Sequence, residues 1–587
     1  MYGHMMQQPL LISSLLTHAE RHHAEREIVS RRIEGDIHRT NYRELAARSR
    51  RLAKALARLG VKLGERVATL AWNGYRHLEL YYAVSGSGAV LHTLNLRLHP
   101  QQITYIANHA EDAVLCFDAG LAPQVASIAA LLPTVRHFIV MTDREHLPPA
   151  AAEIPRLHVY EDLLAGESDD FAWPPLEENT ASSLCYTSGT TGHPKGVLYT
   201  HRSTVLHTYA SALPDTLNCS ATDTLLPIVT MFHANAWGLP YVGCMVGAKL
   251  VLPGSRLDGA SLYELLESEA VTFGAGVPTV WQGILSCIEP RGLTFSTLKR
   301  ILVGGSACPP ALLRSLGERY GIHALHGWGM TETSPLATVC ARKARHASLS
   351  TDERYALMAK QGRAVYGVDI KVVDAQGCEI PWGSPKSGDL LARGPWVAAA
   401  YFRNEGGTPL RDGWFFTGDV ARIDSEGYVC ITDRSKDVIK SGGEWIGSIE
   451  LENIAMAHPA VAMAACIPAP HPRWAERPLL IVVKKPGAEV TRAELLAFYE
   501  GRMPAGGRRM TWCSSMRSRS GPRARCRKRN CASSSGTTSC RRPEGADARA
   551  RSAGLRPCRC SSRRRSSPRA ARCPEPAESR SPCGSGR

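Results

Sequence analysis

Tyr186-Thr187-Ser188-Gly189-Thr190-Thr191-Gly192-His193-Pro194-Lys195-Gly196 is the stretch on which the reading of the chain turns. From Thr187 to Gly192 it holds only hydroxyl residues and glycines. Glycine lets backbone N–H groups approach phosphate oxygens, hydroxyls add donors, and a lysine supplies a point charge. The pattern predicts a loop that wraps a phosphate chain. Ser182 to Tyr186 reads as a strand leading in, and apolar Val197 and Leu198 follow. A Gly/Ser/Thr linker is the alternative, and the Pro-Lys-Gly ending argues against it. The loop is not a Walker loop, which needs Gly-Lys-Ser/Thr at the opening of a helix.

Outward from the loop, the N-terminal side alternates between strand and helix patterns. Leu10 to His23 has helical spacing, and Glu27 to Ser30 and the stretch around His38 read as paired strands. Leu45, Ala46, Leu52, Leu56 and Leu59 recur at helical intervals in Tyr42 to Leu59. Arg66 to Ala71, Gly88 to Leu91 and Ala113 to Phe117 read as buried strands, separated by helices over His77 to Ser87 and Gln101 to Ala110. This β-α alternation predicts a parallel sheet with covering helices.

The C-terminal side carries further motifs. A strand-like run from Pro227 leads into Met231-Phe-His-Ala-Asn-Ala-Trp-Gly238. Leu298 to Ala307 is a strand opening into Gly304 and Gly305, where bare glycines let a flat ring lie against backbone. His326-Gly327-Trp328-Gly329-Met330-Thr331-Glu332 ends in a carboxylate, a hard oxygen ligand of the kind Mg²⁺ prefers. Asp412 to Asp419 ends in an aspartate after a glycine turn, and a carboxylate there can accept both hydroxyls of a ribose. Tyr428 to Lys436 then leads to Asp437-Val-Ile-Lys-Ser-Gly-Gly-Glu-Trp445. Glu450 to Glu500 reads as helix, strand, strand and helix, a small α+β unit.

These segments, in this order, resemble the signature of the adenylate-forming (AMP-binding) superfamily in its acyl-CoA synthetase branch, over roughly the first five hundred residues. The resemblance is greatest to bacterial medium- and long-chain fatty-acid–CoA ligases and methylmercaptopropionyl-CoA ligases. It implies an α/β protein with a large multi-layer N-terminal adenylating domain over 1–433 and a small α+β C-terminal domain. A hinge and incomplete C-terminal domain would span 434–502. It further implies ATP and CoA as substrates and Mg²⁺ as cofactor. Thr187, Ser188, Gly189, Thr190, Thr191, Gly192 and Lys195 would hold the phosphates, with Thr187 and Glu332 at Mg²⁺. Gly305, Ser306, His326, Gly327, Trp328, Gly329, Met330 and Thr331 would surround the nucleotide, and Asp419 and Arg434 the ribose. His233, Trp237, Gly304 and Ala307 would line the acyl pocket, although core packing is the alternative for His233 and Trp237. Lys436 would be the hinge, and Lys440, Ser441, Gly442, Gly443, Glu444 and Trp445 the thioester-forming face; a solvated charged turn is the alternative for each of the two lysines. Lys195, His233, Glu332 and Lys436 are the candidate catalytic residues.

With 587 residues, 44% hydrophobic and 21% charged, the chain fits a globular protein of more than one domain. A formal net charge of +16 suggests a nucleic-acid partner until its distribution is read. Met503 to Arg587 holds 22 Lys+Arg and 4 Asp+Glu, so the remainder is nearly neutral, and no nucleic-acid partner is expected. A binder acting through that basic tail remains the rival, but the tail lacks the aromatic interleaving that single-strand binding uses. Eight of 18 cysteines lie in the tail, with no repeated metal-ligand spacing. Cys116, Cys185 and Cys466 sit singly in apolar surroundings, as buried thiols of a reducing cytosol do. Met1 to Leu16 shows no secretory pattern, and no run of about 18 apolar residues predicts a membrane span. The expected location is cytoplasmic, and the resemblance allows a homodimer.

After Arg502 the composition turns to Arg, Ser, Cys, Pro and Gly, without apolar periodicity. A natural disordered basic tail is one reading. The genetic code offers another. Read one base earlier, the junction of Met510 (ATG) and Thr511 (ACN) spells Asp, and that of Trp512 (TGG) and Cys513 (TGY) spells Val. With suitable synonymous codons, Met503 to Cys526 then spells Ala-Arg-Trp-Trp-Pro-Pro-Asp-Asp-Val-Val-Phe-Val-Asp-Ala-Ile-Pro-Leu-Gly-Ala-Thr-Gly-Lys-Val. This is similar to the strand, glycine turn and lysine with which the family ends. The expectation is a frameshift near Arg502–Met503, a truncated C-terminal domain, and adenylation impaired by loss of the lysine. An adenylating enzyme with another acyl acceptor, or an inactive homologue, is the alternative function.

Overall fold

In the computed structural model the described residues are 1, 3–187, 194–435, 437–441, 444–471, 475–485, 487–499 and 511–513. Ser188 to His193, Lys436, Gly442, Gly443 and most of 500–587 lie outside them. The chain divides into Met1–Ala532 and Ser533–Arg587, and the second unit lies wholly outside the described residues.

Four sheets carry the fold, where the β-α alternation predicts one parallel sheet with covering helices. The first has seven strands in the order Leu157–Val159, His137–Val140, Asp112–Phe117, Arg66–Leu70, Val90–Thr93, Ala181–Tyr186 and Gly196–Thr200. All its pairings are parallel except the last, where Ala181–Tyr186 and Gly196–Thr200 run antiparallel around the hydroxyl–glycine loop. Parallel strands buried on both faces read as unbroken apolar runs, which is how Ala113 to Phe117 reads and how it is packed.

The second sheet has nine strands, with Thr224–Pro227, Phe273–Gly276, Arg300–Val303 and His323–Gly329 side by side and parallel. Its far edge is the hairpin Glu27–Arg31 and Ile37–Asn41. The run expected from Pro227 onward ends as a strand at Pro227 itself. There the buried Asn73 amide takes over, donating to the carbonyls of Pro227 and Val229 and accepting from the Met231 N–H. A third, five-stranded sheet includes Trp414–Ile423 paired antiparallel with Val429–Arg434.

Helices lie between the sheets where their apolar faces demand it. Tyr42–Arg58 is capped by Asn41, whose side chain accepts the Glu44 N–H. Its buried face holds Leu45, Ala46, Leu52 and Leu56. The neighbouring helix Tyr75–Gly86 is buried along its whole length, so its charges are paired: Glu79 with Arg48 at 2.7 Å and Arg76 with Glu34 at 2.7 Å.

The fourth sheet is built from 439 onward. Ile439–Ser441 and Glu444–Ile446 form a hairpin, and Val461–His471 pairs antiparallel with Ala475–Lys484. Ser448–Met456 and Arg492–Tyr499 cover it around Leu451, Leu480 and Leu495. Within 503–587 the described residues are Thr511–Cys513, a strand lying parallel beside Leu479–Ile481.

Candidate active site

The hydroxyl–glycine loop is pinned at its neck. The Thr187 N–H donates to the Lys195 carbonyl at 2.9 Å, and the Lys195 N–H reaches Thr187 Oγ1 at 3.4 Å. Ser188, Gly189, Thr190, Thr191 and Gly192 lie outside the described residues. The ammonium of Lys195 sits over the ring of Tyr401, 4.7 Å from its centroid. The Tyr401 hydroxyl in turn donates to Glu332 Oε1 at 2.8 Å. One tyrosine therefore joins the loop lysine to the carboxylate that ends the His326–Glu332 segment. Glu332 is 6% exposed, and burial raises its carboxyl above the usual range despite the Tyr401 bond.

A second group surrounds Asp419. This carboxylate is 2% exposed, accepts the Trp328 indole N–H at 2.9 Å through Oδ2, and pairs with Arg434 Nε at 2.8 Å through Oδ1. The pairing follows from register, because Asp419 and Arg434 face one another across adjacent antiparallel strands. Burial again raises the carboxyl, and Arg434 and Trp328 pull against it. Arg434 and Asp419 also act electrostatically on Glu332, so the two groups share one neighbourhood. Thr331 is fixed through its carbonyl, which accepts from the buried Tyr199 hydroxyl at 2.6 Å. The His326 ring is buried; its Nδ1–H donates to the Ala359 carbonyl at 3.0 Å, and the Ser306 backbone is also within its hydrogen-bonding reach. Met330 N–H is held by Thr333 Oγ1 at 3.0 Å, and Gly327 and Gly329 pair with Val339 and Leu336.

The acyl-side candidates meet as well. The half-buried Trp237 ring lies against the strand-end glycines: a Cβ on Gly304 would come within 3.3 Å of it, and one on Gly305 within 3.7 Å. Ser306 is exposed and Ala307 half-buried beyond them. His233 is exposed at the mouth of the same turn. Ala234, Asn235, Ala236 and Trp237 all have positive φ, between 44° and 57°. A left-handed conformation costs roughly 1–2 kcal/mol for each non-glycine residue, so tertiary contacts must hold this turn.

Lys436, Gly442 and Gly443 lie outside the described residues. The backbones of Lys440, Ser441, Glu444 and Trp445 form the hairpin of the fourth sheet, which pairs onward through Ser441 to Ala475. Beside Lys436, the buried Asp433 accepts the Ser448 N–H at 2.6 Å and the Ser448 hydroxyl at 3.1 Å. A carboxylate at the start of Ser448–Met456 suits the positive end of that helix.

Sequence reasoning passed over Tyr401, Tyr199, Asn235 and Asp433. Tyr401 and Tyr199 sit in no glycine-rich or charged motif, while Asn235 and Asp433 lie within motifs whose reading rested on their neighbours His233, Trp237, Arg434 and Lys436. Their hydrogen-bond partners lie as far as 154 residues away in the chain.

Comparison with known proteins places the chain in a family. The family model "AMP-binding enzyme" matches residues 15–402, and "AMP-binding enzyme C-terminal domain" matches residues 450–506. The chain belongs to the AMP-binding enzyme family. It is 52% identical over 503 residues to a 3-methylmercaptopropionyl-CoA ligase of Ruegeria lacuscaerulensis, covering 86% of this chain and 93% of that protein. It is 51% identical to a medium-chain-fatty-acid–CoA ligase of Ectopseudomonas oleovorans, covering 86% and 92%. The fold is similar to a crystal structure of the anthranilate CoA ligase AuaEII with anthranoyl-AMP, with a TM-score of 0.77 at 23% identity over 87% of this chain and 94% of that one. Among the described residues, no helix is long and apolar enough to cross a membrane.

Proposed function

We propose that the chain is an AMP-forming acyl-CoA ligase acting on a fatty acid or a sulfur-containing analogue. The acid's carboxylate oxygen attacks the α-phosphorus of ATP, forming the acyl-adenylate and releasing pyrophosphate. The CoA thiolate then attacks the acyl carbon, forming the thioester and releasing AMP. The observation that carries this reading is the clustering of Lys195, Tyr401 and Glu332 beside Trp328, Asp419 and Arg434, in a chain about half identical to named CoA ligases.

In this reading Lys195 and the hydroxyl loop hold the departing pyrophosphate, and Asp419 and Arg434 hold the ribose. His233, Trp237, Gly304 and Ala307 line the acyl pocket. Glu332 and Thr187 suit Mg²⁺: one hard carboxylate and one hydroxyl leave room for the waters and phosphate oxygens that the ion retains. Bound there, Mg²⁺ would neutralise phosphate charge. Rotation of the small domain about Lys436 would bring Lys440 to Trp445 to the adenylate for the second half-reaction. Ten free cysteines among the described residues support a reducing, cytoplasmic location, and a homodimer is compatible with the reading.

The C-terminal lysine belongs to the same proposal. In the family it stabilises the charge that accumulates between carboxylate and α-phosphate. Here it is encoded one frame away, across the codons of Ala524 and Arg525. Two facts support this. The C-terminal family match stops at residue 506, and the strand Thr511–Cys513 occupies the place beside Leu479–Ile481 where the shifted frame spells Asp-Val-Val. ATP–pyrophosphate exchange with a panel of fatty acids tests both parts, using this chain and one with the frame restored. Exchange in the restored form alone is expected. Equal exchange in both would reject the role of the lysine, and exchange in neither would reject fatty acids as the substrate class.

A further inference from the structure

We infer that Asn235 is a positioning residue for the acyl pocket, acting by holding the left-handed turn 234–238 against the strand that leads into the phosphate loop. The inference rests on the reading of His233 and Trp237 as pocket residues. Five consecutive residues, Ala234 to Gly238, have positive φ. Such a run persists only where the surroundings over-determine it.

The surroundings here converge on one amide. Asn235 is 4% exposed. Its Nδ2 donates to Ser183 Oγ at 3.0 Å, and its Oδ1 lies 3.4 Å from both the Cys185 thiol and the Tyr81 hydroxyl. Ser183 and Cys185 belong to Ala181–Tyr186, the strand that ends at Thr187. Tyr81 donates chiefly to the Met231 carbonyl at 2.5 Å, just ahead of the turn. Behind the turn, the buried His207 packs on Gly238, where a Cβ would meet its ring at 2.8 Å, and its Nε2 accepts the Leu336 N–H at 3.1 Å. The buried side of the turn is thus bolted to three elements.

The consequence lies on the opposite side. With Asn235 turned inward, His233 is exposed and Trp237 lies against Gly304 and Gly305. Were the turn to relax to right-handed geometry, the two rings would leave this face together. Asn235 therefore fixes the distance from the phosphate-loop strand to the acyl wall, and through it the placement of the acid relative to the nucleotide.

Asparagine also tolerates positive φ better than most residues, so backbone tolerance must be separated from the amide's bonds. Three variants do this in the full chain: Asn235→Ala, Asn235→Gly and Ser183→Ala. The first readout is hydrogen exchange across 231–239. The second is affinity for a medium-chain acyl-sulfamoyl-adenosine, a stable mimic of the adenylate, set against affinity for ATP. The expected result for Asn235→Ala and Asn235→Gly is about tenfold faster exchange in that segment and about tenfold weaker binding of the mimic, the scale of one to two lost hydrogen bonds. ATP affinity stays within about twofold, and Ser183→Ala shows the same pattern at smaller size. A wild-type exchange rate in Asn235→Gly would overturn the inference, because φ tolerance alone would then suffice. Faster exchange with unchanged binding of the mimic would overturn the pocket role of the turn. Failure of the wild-type chain to bind any acyl mimic would instead reject the ligase reading while leaving the exchange result intact.

Discussion

Tyr401 donates its hydroxyl proton to Glu332 Oε1 at 2.8 Å while its ring lies 4.7 Å from the Lys195 ammonium. A single side chain thus contacts both the lysine proposed to hold pyrophosphate and the carboxylate proposed for Mg²⁺. Tyr401→Phe keeps the ring and loses the bond. A hydrogen bond to a charged group contributes about 1.5–3 kcal/mol, so ATP–pyrophosphate exchange should fall roughly 10- to 100-fold. Tyr401→Ala should fall further, since a cation–π contact adds about 0.5–1 kcal/mol. Exchange kinetics of the two variants in the frame-restored chain would check this order.

The pH dependence of the same site follows from Glu332. Burial raises its carboxyl, so it holds its proton to higher pH than an exposed glutamate does. Only the ionised form can serve a cation. Activity should therefore drop on the acid side at a pH above the ordinary carboxylate range. Tyr401→Phe removes a bond that favours the ionised form and should move this limb to still higher pH. A pH–rate profile at saturating and at limiting Mg²⁺ would measure it, and an unmoved limb in Tyr401→Phe would assign the titration elsewhere.

Asp118 gives a stability prediction away from the site. It is buried, accepts the Trp72 N–H at 2.7 Å, and burial pushes its carboxyl up to about 7. Its folded pKa lies above its unfolded value, so the folded state binds more protons and stability declines as pH rises from about 4 to about 7. Asp118→Asn keeps an acceptor for Trp72 and removes the charge. It should raise stability more at pH 8 than at pH 5, by at most about 4 kcal/mol. Denaturant unfolding at the two pH values would show it, and an equal effect at both would mean Asp118 is ionised without cost.

Asp433 ties Val429–Arg434 to the first helix of the small domain through Ser448. Lys436 lies between these two partners in the chain, so rotation about it would strain or break both bonds. Asp433→Ala should shift the balance between half-reactions, slowing one by about tenfold and the other by less, with both bonds together worth roughly 1–3 kcal/mol. Separate assay of adenylate formation and of thioester formation from added adenylate would reveal the asymmetry. Equal slowing of both would assign Asp433 a purely structural role.

Much of this protein is legible without coordinates. The apolar run Ala113 to Phe117, the helical spacing of Leu45, Leu52 and Leu56, and the helix–strand–strand–helix order of 450–500 all reappear as elements. They do so because period-2 and period-3.6 patterns are local properties of a chain that must bury one face. The strand expected from Pro227 onward failed for a non-local reason: Asn73, more than 150 residues earlier, captures its backbone groups.

The sequence by itself determined the motifs and their chemistry: a hydroxyl–glycine loop closed by Lys195, carboxylates at Glu332 and Asp419, and glycines at Gly304 and Gly305. These are matters of residue type and spacing within about ten positions. Only the tertiary structure decided which groups hold those residues in place. Tyr401 reaches Glu332 across 69 positions, Trp328 reaches Asp419 across 91, and Asn235 reaches Ser183 across 52. Sheet register and the course of connecting loops set such contacts, and both arise from packing the whole chain at once rather than from any window of it.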